Sequence, residues 1–404
     1  MSKKIIDPSG TAVRYLKDRI FQPESRGSGT PVVCSAGASS LDMLPPVACT
    51  GNASASVCSR FVYASGGNAR SSVNGIVWTP EGRRLLAGNN KGMFTMWSGI
   101  NFTFEMTQSG HEVAVRALVW NHAGEWMVSA DEDGIIKYWS PSLNNVKEIK
   151  DAHVGFPARE LSFCPTDAKF CSCSDDASVK IWDFERGALD RALVGAGAEN
   201  GKSHGWDVKS AQWHPEKALI VSGSKDNVIK LWDPRAPSEI CALHLHKSTV
   251  TSLRWHPEGQ QFASGSKDKL VKLFDLRAMR EAAAFKGHKR EVTALAWHPI
   301  QPDLFCSADQ DGAILFWSAL QSAEPLGESI GRGGRAAHDF AVWTLAWHPL
   351  GHLLCSGGQD NLVKFWSRDR PGDARKRQRD EEEDELFEGE EREMRMAQLA
   401  REQF

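Results

Sequence analysis

The chain has 404 residues, 41% hydrophobic and 25% charged, with a formal net charge of −3. A sizeable core is available, so the class is soluble and globular, and bulk electrostatic adhesion to nucleic acid or membrane is excluded. No run of about 18 apolar residues exists, so no transmembrane helix is expected; the N-terminus lacks the apolar core of a secretory signal, and nine cysteines without a CxxC pair resemble a reduced intracellular protein more than a disulfide scaffold.

Residues 1–30 carry six basic and three acidic side chains. Asp7 is placed to cap a helix with Pro8 at its first position, and Val13, Leu16 and Ile20 follow at helical spacing. A basic leader with an amphipathic helix is therefore expected over 1–23, its apolar stripe resting on its own protein or inserted in a partner. Residues 24–56 are rich in Gly, Ser and Ala and read as a flexible linker. The stretch 57–64 (VCSRFVYA) then alternates as a strand does.

From 57 to 367 the chain repeats. Each unit ends on an aromatic: Trp97, Trp139, Trp182, Trp232, Phe274, Trp317 and Trp366, at spacings of 42, 43, 50, 42, 43 and 49 residues. An earlier aromatic recurs within each unit: Trp78, Trp120, Phe163, Trp213, Trp255, Trp297 and Trp347. Between these marks short β-rich runs alternate with turns, as in VTSLRW, HPEG, QFASGS, KDK and LVKLFD. Four strands about every 43 residues cannot bury both faces alone, but seven such sheets packed radially can. An all-β, seven-bladed β-propeller follows. The seventh unit is one strand short, because charged sequence follows Trp366 at once, and 57–64 is expected to fill the place. Cys171, Cys306 and Cys355 each sit eleven residues before a closing Trp and read as small core side chains. The segments SGSKDNVIKLWD at 222–233 and CSDDASVKIWD at 173–183 resemble the WD-repeat family directly.

A Ser–His–Asp set such as His111, Ser129 and Asp133 would suggest a hydrolase. The repeats remove that idea, for the set recurs six times. His111, His153, His204, His246, His288 and His338 precede the inner aromatics by nine or ten residues. Ser129, Ser172, Ser222, Ser264, Ser307 and Ser356 stand ten before the closing aromatic, and Asp133, Asp176, Asp226, Asp268, Asp311 and Asp360 six before it. The WD resemblance implies a buried hydrogen-bond network with the Trp. The first unit departs, with Ala69, Ala87 and Lys91 in those places. It is either a degenerate terminal repeat or a blade released to bind something. No phosphate-cradling loop, metal-ligand spacing or cofactor motif is present, so no catalytic, metal or cofactor site is expected. The WHP histidines are spread around the ring, and GRGGR at 331–335 reads as a loop.

The position four before the inner aromatic holds Arg116, Arg159 and Lys209 in blades two to four and Trp343 in blade seven. These read as a partner surface on one face of the ring, or as ordinary solvated charge. The tail, 368–404, runs from RKRQR at 375–379 into DEEEDE at 380–385. RKRQR is either a nuclear-import patch or the basic end of a solvated charged helix.

Beyond the generic repeat, several details resemble the WD-repeat subunit of the cleavage and polyadenylation specificity factor, the polyadenylation factor subunit two family. They are Tyr15-Leu16, Arg19-Ile20, Leu44-Pro45-Pro46, WTPEGRR at 78–84, Phe94-Thr95, NFTFE at 101–105, Asn144-Asn145-Val146-Lys147 and Arg370-Pro371-Gly372-Asp373. The resemblance implies a nuclear, non-catalytic scaffold that helps recognise the AAUAAA signal in pre-mRNA. Its partners would be a CCCH zinc-finger subunit and a large propeller scaffold subunit, with no membrane. It also implies RNA contacts at Lys3 and Lys4, which match the end of the family's basic leader, and at Phe104, which matches a stacking aromatic. Phe102 leaves the same blade, and Thr107 replaces an aliphatic residue that shapes the base pocket. The sequence departs from the family in most of the basic leader and in the long C-terminal extension, where the charged tail stands instead. The rival class is a chromatin or ubiquitin-ligase adaptor without RNA contact.

Overall fold

The computed structural model describes residues 53–66, 71–195, 201–236, 238–320, 323–331 and 335–368. The expected leader helix, Lys3, Lys4, Ala69, most of the linker and of GRGGR, and the tail from 369 lie outside them. Among the described residues no helix is long and apolar enough to cross a membrane.

Seven antiparallel four-stranded sheets carry the fold. Blade five shows why the pattern works: its strands are Val250–Trp255, Gln261–Ser266, Leu270–Asp275 and Arg280–Lys286. The second strand is buried nearly throughout because neighbouring blades cover both of its faces, whereas the outer strand is mostly exposed. Equivalent core positions on the second strands hold Leu86, Val128, Cys171, Val221, Ala263, Cys306 and Cys355, each at most 1% exposed. Burial pushes the Cys171, Cys306 and Cys355 thiols up in pKa, which keeps them inert.

The ring closes with the chain's own N-terminal strand. Arg60–Gly66 pairs antiparallel with Leu362–Ser367, from Arg60 opposite Ser367 to Gly66 opposite Leu362. The packed part starts before residue 57, inside the expected linker. A 3₁₀ turn at Ala53–Ser56 precedes the strand, and Ala53 and Cys58 are buried in the core shared by blades six and seven. The outer strand of blade six is reduced to Gly327–Glu328, and the same entering segment sits beside it, with Ser329 Oγ donating to Cys58 O at 3.0 Å.

Six blades hold the repeated polar network. In blade four, Trp232 Nε1 donates to Ser222 Oγ at 2.7 Å, Ser222 Oγ meets His204 Nε2 at 2.7 Å, and His204 Nδ1 meets Asp226 at 3.0 Å. The network joins the loop leading into the inner strand to the hairpin between the second and third strands, so both lie at one end of the ring, called here the upper face. Blade five has Phe274 in place of the indole, and there Ser264 Oγ donates to Lys272 O.

The expected Asp differs in two blades. His111 pairs with Asp131, not Asp133, and His288 with Asp309, not Asp311, at 2.8 and 3.0 Å. Asp131 and Asp309 stand eight residues before the closing Trp, where one carboxylate oxygen reaches the His and the other accepts from the hairpin amides. In blades three to five that position holds Ser174, Ser224 or Ser266, whose hydroxyls accept from a hairpin amide and, for Ser224 and Ser266, donate to a carbonyl of the entering loop, leaving the later Asp to serve the His. In blade one it holds Asn89, which accepts from Lys91 N and Met93 N.

The opposite, lower end is stapled by the WHP histidines. His214, His298 and His348 each meet, through Nε2, the carbonyl of a turn glycine in the next blade, Gly259, Gly351 and Gly82, at 2.8–2.9 Å. Each glycine has φ near +70°, and a Cβ at Gly259 would come within 2.5 Å of His214 Nε2, so only glycine fits there.

Candidate nucleic-acid and partner interfaces

The Ser–His–Asp sets have the contacts of a catalytic triad without its chemistry. Ser129, Ser172, Ser222, Ser264, Ser307 and Ser356 are all 0% exposed, and no substrate reaches their hydroxyls. Each hydroxyl that accepts an indole N–H also gives its proton to His Nε2, so the bonds run in one polarised chain. Burial lowers the pKa of His153, His204 and His338 despite their Asp partners, which keeps those rings neutral. Among the described residues no group of three or more His, Cys, Asp or Glu could hold a metal ion.

On blade one the two aromatics of NFTFE part company. Phe102 is 1% exposed, with φ +52°, and stacks on Phe365 of blade seven at 4.0 Å between centroids. Tyr63 of the closing strand flanks the pair, with its centroid 6.3 Å from Phe102 and 6.4 Å from Phe365. Phe102 therefore offers no face to a base, contrary to the expectation from the sequence. It plugs the seam where the ring closes. The plug also shapes the loop: Phe102 N donates to Ser98 O at 3.0 Å and Ser98 N to Thr103 O at 2.9 Å. The turn so fixed delivers Phe104, 41% exposed, at the start of the outer strand Phe104–Ser109 on the lower end. Thr107 is half-buried, and its Oγ1 is enclosed without a hydrogen-bond partner.

Sequence reasoning missed what surrounds Phe104. Met106 and Ile100 are exposed near it in sequence, and Arg84 Nε pairs with Glu105, the residue after Phe104, at 2.9 Å. The signal lay in the second arginine of WTPEGRR, which has no apolar role in that strand.

At the upper face, Arg116, Arg159, Lys209 and Trp343 all line the mouth of a central channel of about 730 Å³. The three cations are paired rather than free. Arg116 meets Glu132 at 2.9 Å, Arg159 Nε meets Asp175 at 2.9 Å, and Lys209 bridges Asp175 at 2.8 Å and Asp207 at 3.0 Å. Burial alone would raise the pKa of Asp175, but the hydrogen bonds and charges of Arg159 and Lys209 outweigh it and hold the carboxyl below its usual range. The same position in other blades seals the ring: Asn74 Nδ2 donates to Val115 O at 3.0 Å and Thr251 Oγ1 to Val292 O at 2.6 Å.

Trp343 is 42% exposed and has company that the repeat grid hid. Phe156, Trp206 and Phe340, at 49%, 61% and 59% exposure, stand seven residues before the inner aromatics of blades three, four and seven. The corresponding positions in blades two, five and six hold Val113, Ser248 and Arg290. An aromatic there was a readable signal.

Comparison with known proteins fits this architecture. The WD domain, G-beta repeat model matches residues 102–140 and 334–367, and the nucleolar protein 10-like N-terminal domain model matches 152–330. The chain is 42% identical to polyadenylation factor subunit 2 of Neurospora crassa over 396 residues, covering 92% of this chain and 58% of that protein. Its similarity to the Gibberella zeae protein of the same name is 40% over 394 residues, covering 92% and 62%. For the Yarrowia lipolytica protein the figures are 38% identity over 398 residues, with 89% and 72% covered. The chain thus spans about three fifths of the length of the first two relatives. Identity sustained across nearly the whole chain, on a closed ring of seven blades, decides the family: this chain belongs to the polyadenylation factor subunit 2 family, a non-catalytic family of WD-repeat propellers.

Proposed function

We propose that this chain is a non-catalytic scaffold and RNA-contacting subunit of the nuclear machinery that cleaves and polyadenylates pre-mRNA, helping to recognise AAUAAA. One observation carries the RNA reading: Phe104 stands exposed at the start of an outer strand, on a turn fixed by the buried Phe102. Base–aromatic stacking contributes about 1–3 kcal/mol. The segment entering the propeller comes in at the lower end of blades six and seven, next to blade one in the ring. Lys3 and Lys4, as the end of a basic leader, would add phosphate attraction in this reading, and Thr107 would border the base pocket. Its partners in this reading are a CCCH zinc-finger subunit and a large propeller scaffold subunit.

The test is photocrosslinking of an RNA containing AAUAAA, against a scrambled hexamer, in the assembled complex. Hexamer-dependent crosslinks on the peptide containing Phe104 are expected. Crosslinks confined to other subunits would leave a propeller adaptor without RNA contact.

A further inference from the structure

The upper face is chemically divided around the ring. Blade two presents Glu112, Glu132 and Asp133, whereas the loops of blades four to six present Lys225, Lys247, Lys267, Lys269, Lys289 and Arg290, all exposed except the half-buried Glu132. Lys267 is paired with Glu291 at 3.0 Å and Arg290 with Asp311 at 3.2 Å, but Lys247, Lys269 and Lys289 have no ion-pair partner among the described residues. Trp206 bounds this basic arc on the blade-four side, with Lys225 over its ring at 5.6 Å from the centroid. Phe340 and Trp343 bound it on the blade-seven side. Large exposed apolar side chains grouped with unpaired charge of one sign mark a docking surface.

The arc calls for an extended acidic peptide that also carries large apolar side chains. This chain contains a segment of the required chemistry: 380–385 is DEEEDE, followed at once by Leu386 and Phe387. It is also within reach. The strand Leu362–Ser367 ends at the lower end, and eleven residues, 369–379, lie between Arg368 and Asp380. That stretch extends to about 40 Å, against roughly 20 Å for a six-residue strand. We infer that the acidic run 380–385 of this chain, with Leu386 and Phe387, docks on the basic arc of blades four to six, between Trp206 and Phe340.

The inference goes beyond the RNA reading, and either can fail without the other. The experiment is zero-length carbodiimide crosslinking of the full chain, as an equal mixture of isotope-labelled and unlabelled protein, read by mass spectrometry. Crosslinks from 380–385 to Lys247, Lys269 or Lys289 within single molecules are expected. Trp206→Ala with Phe340→Ala, and separately Leu386→Ser with Phe387→Ser, should lower their yield at least five-fold with unchanged melting temperature. Crosslinks spread over lysines elsewhere, such as Lys150 or Lys217, or formed only between labelled and unlabelled chains, overturn it. So does photocrosslinking of oligouridine to the Trp206 peptide, which would assign the arc to nucleic acid.

Discussion

Trp97 Nε1 donates to Ser65 Oγ at 2.9 Å, so the closing indole of blade one is held by a hydroxyl from the strand that completes blade seven. In the other Trp-closed blades the acceptor lies ten residues earlier in the same blade. Blade one has Ala87 there, and the closing strand supplies what is missing. Ring closure and the core of blade one are thereby one unit. Blade one is degenerate in sequence, yet its indole is satisfied.

Ser65→Ala should leave a buried indole N–H unsatisfied and destabilise the propeller by about 1–3 kcal/mol. Ser109→Ala, at an exposed site on the outer strand of blade one, should cost less than about 0.5 kcal/mol. Urea unfolding of the two variants checks this, and equal midpoints would remove the closing-strand hydroxyl from any structural role.

Asp131→Ala should be far more destabilising than Asp133→Ala. Asp131 holds His111 and two hairpin amides in a buried site, whereas Asp133 is exposed. The difference should be about 1–3 kcal/mol, and Asp309→Ala against Asp311→Ala should repeat it. Thermal melts of the four variants decide; a reversed order would restore the spacing read from the repeat.

Acid should weaken the ring before its carboxylates titrate. Burial lowers His298 and His348 from an ordinary imidazole value of about 6.5 to about 4 and about 3. Each Nδ1 accepts a backbone N–H, which a proton would block. Between those values the unfolded chain binds more protons than the folded one. Stability is therefore full above about pH 6.5 and falls as pH drops towards 4 and 3, by up to about 1.4 kcal/mol per pH unit per histidine. Asp176, lowered to about 2 by His153 and Ser178 against its burial, extends the loss further into acid. Unfolding free energies at pH 7.5, 6 and 5 test this, with His348→Asn expected to flatten the slope. A flat profile in the parent chain would contradict it.

Phe102 and Phe104 should separate stability from RNA binding. Phe102→Ala empties the seam between blades one and seven and should cost about 3–5 kcal/mol of stability. Phe104→Ala should leave the melting temperature nearly unchanged and weaken hexamer affinity of the assembled complex by about 1–3 kcal/mol. A Phe104→Ala variant that melts early but binds normally per folded molecule would make that ring a plug as well.

The propeller, its blade number and its closing strand were legible in the sequence, because they follow from periodicity. Aromatics recurring at spacings of 42–50 residues mark equivalent core sites, and equivalence needs no knowledge of contacts. The second-strand cysteines and the Ser–His part of the network were legible for the same reason. Asp131 and Asp309 were not. Two acidic side chains two residues apart both stay near the hairpin, and only the geometry of the turn selects the one that reaches the His.

The interface residues mark the same boundary. Sequence alone determined that Phe102 and Phe104 leave blade one, and that Arg116, Arg159, Lys209 and Trp343 share one position. Only the tertiary structure decided that Phe102 is sealed against Phe365, that the three cations are tied to carboxylates from nearby loops, and that Ser65 serves Trp97. The physical reason is distance along the chain. Repeat spacing reports what a residue does within its own blade, whereas Phe102–Phe365 is a contact made only when the ring shuts.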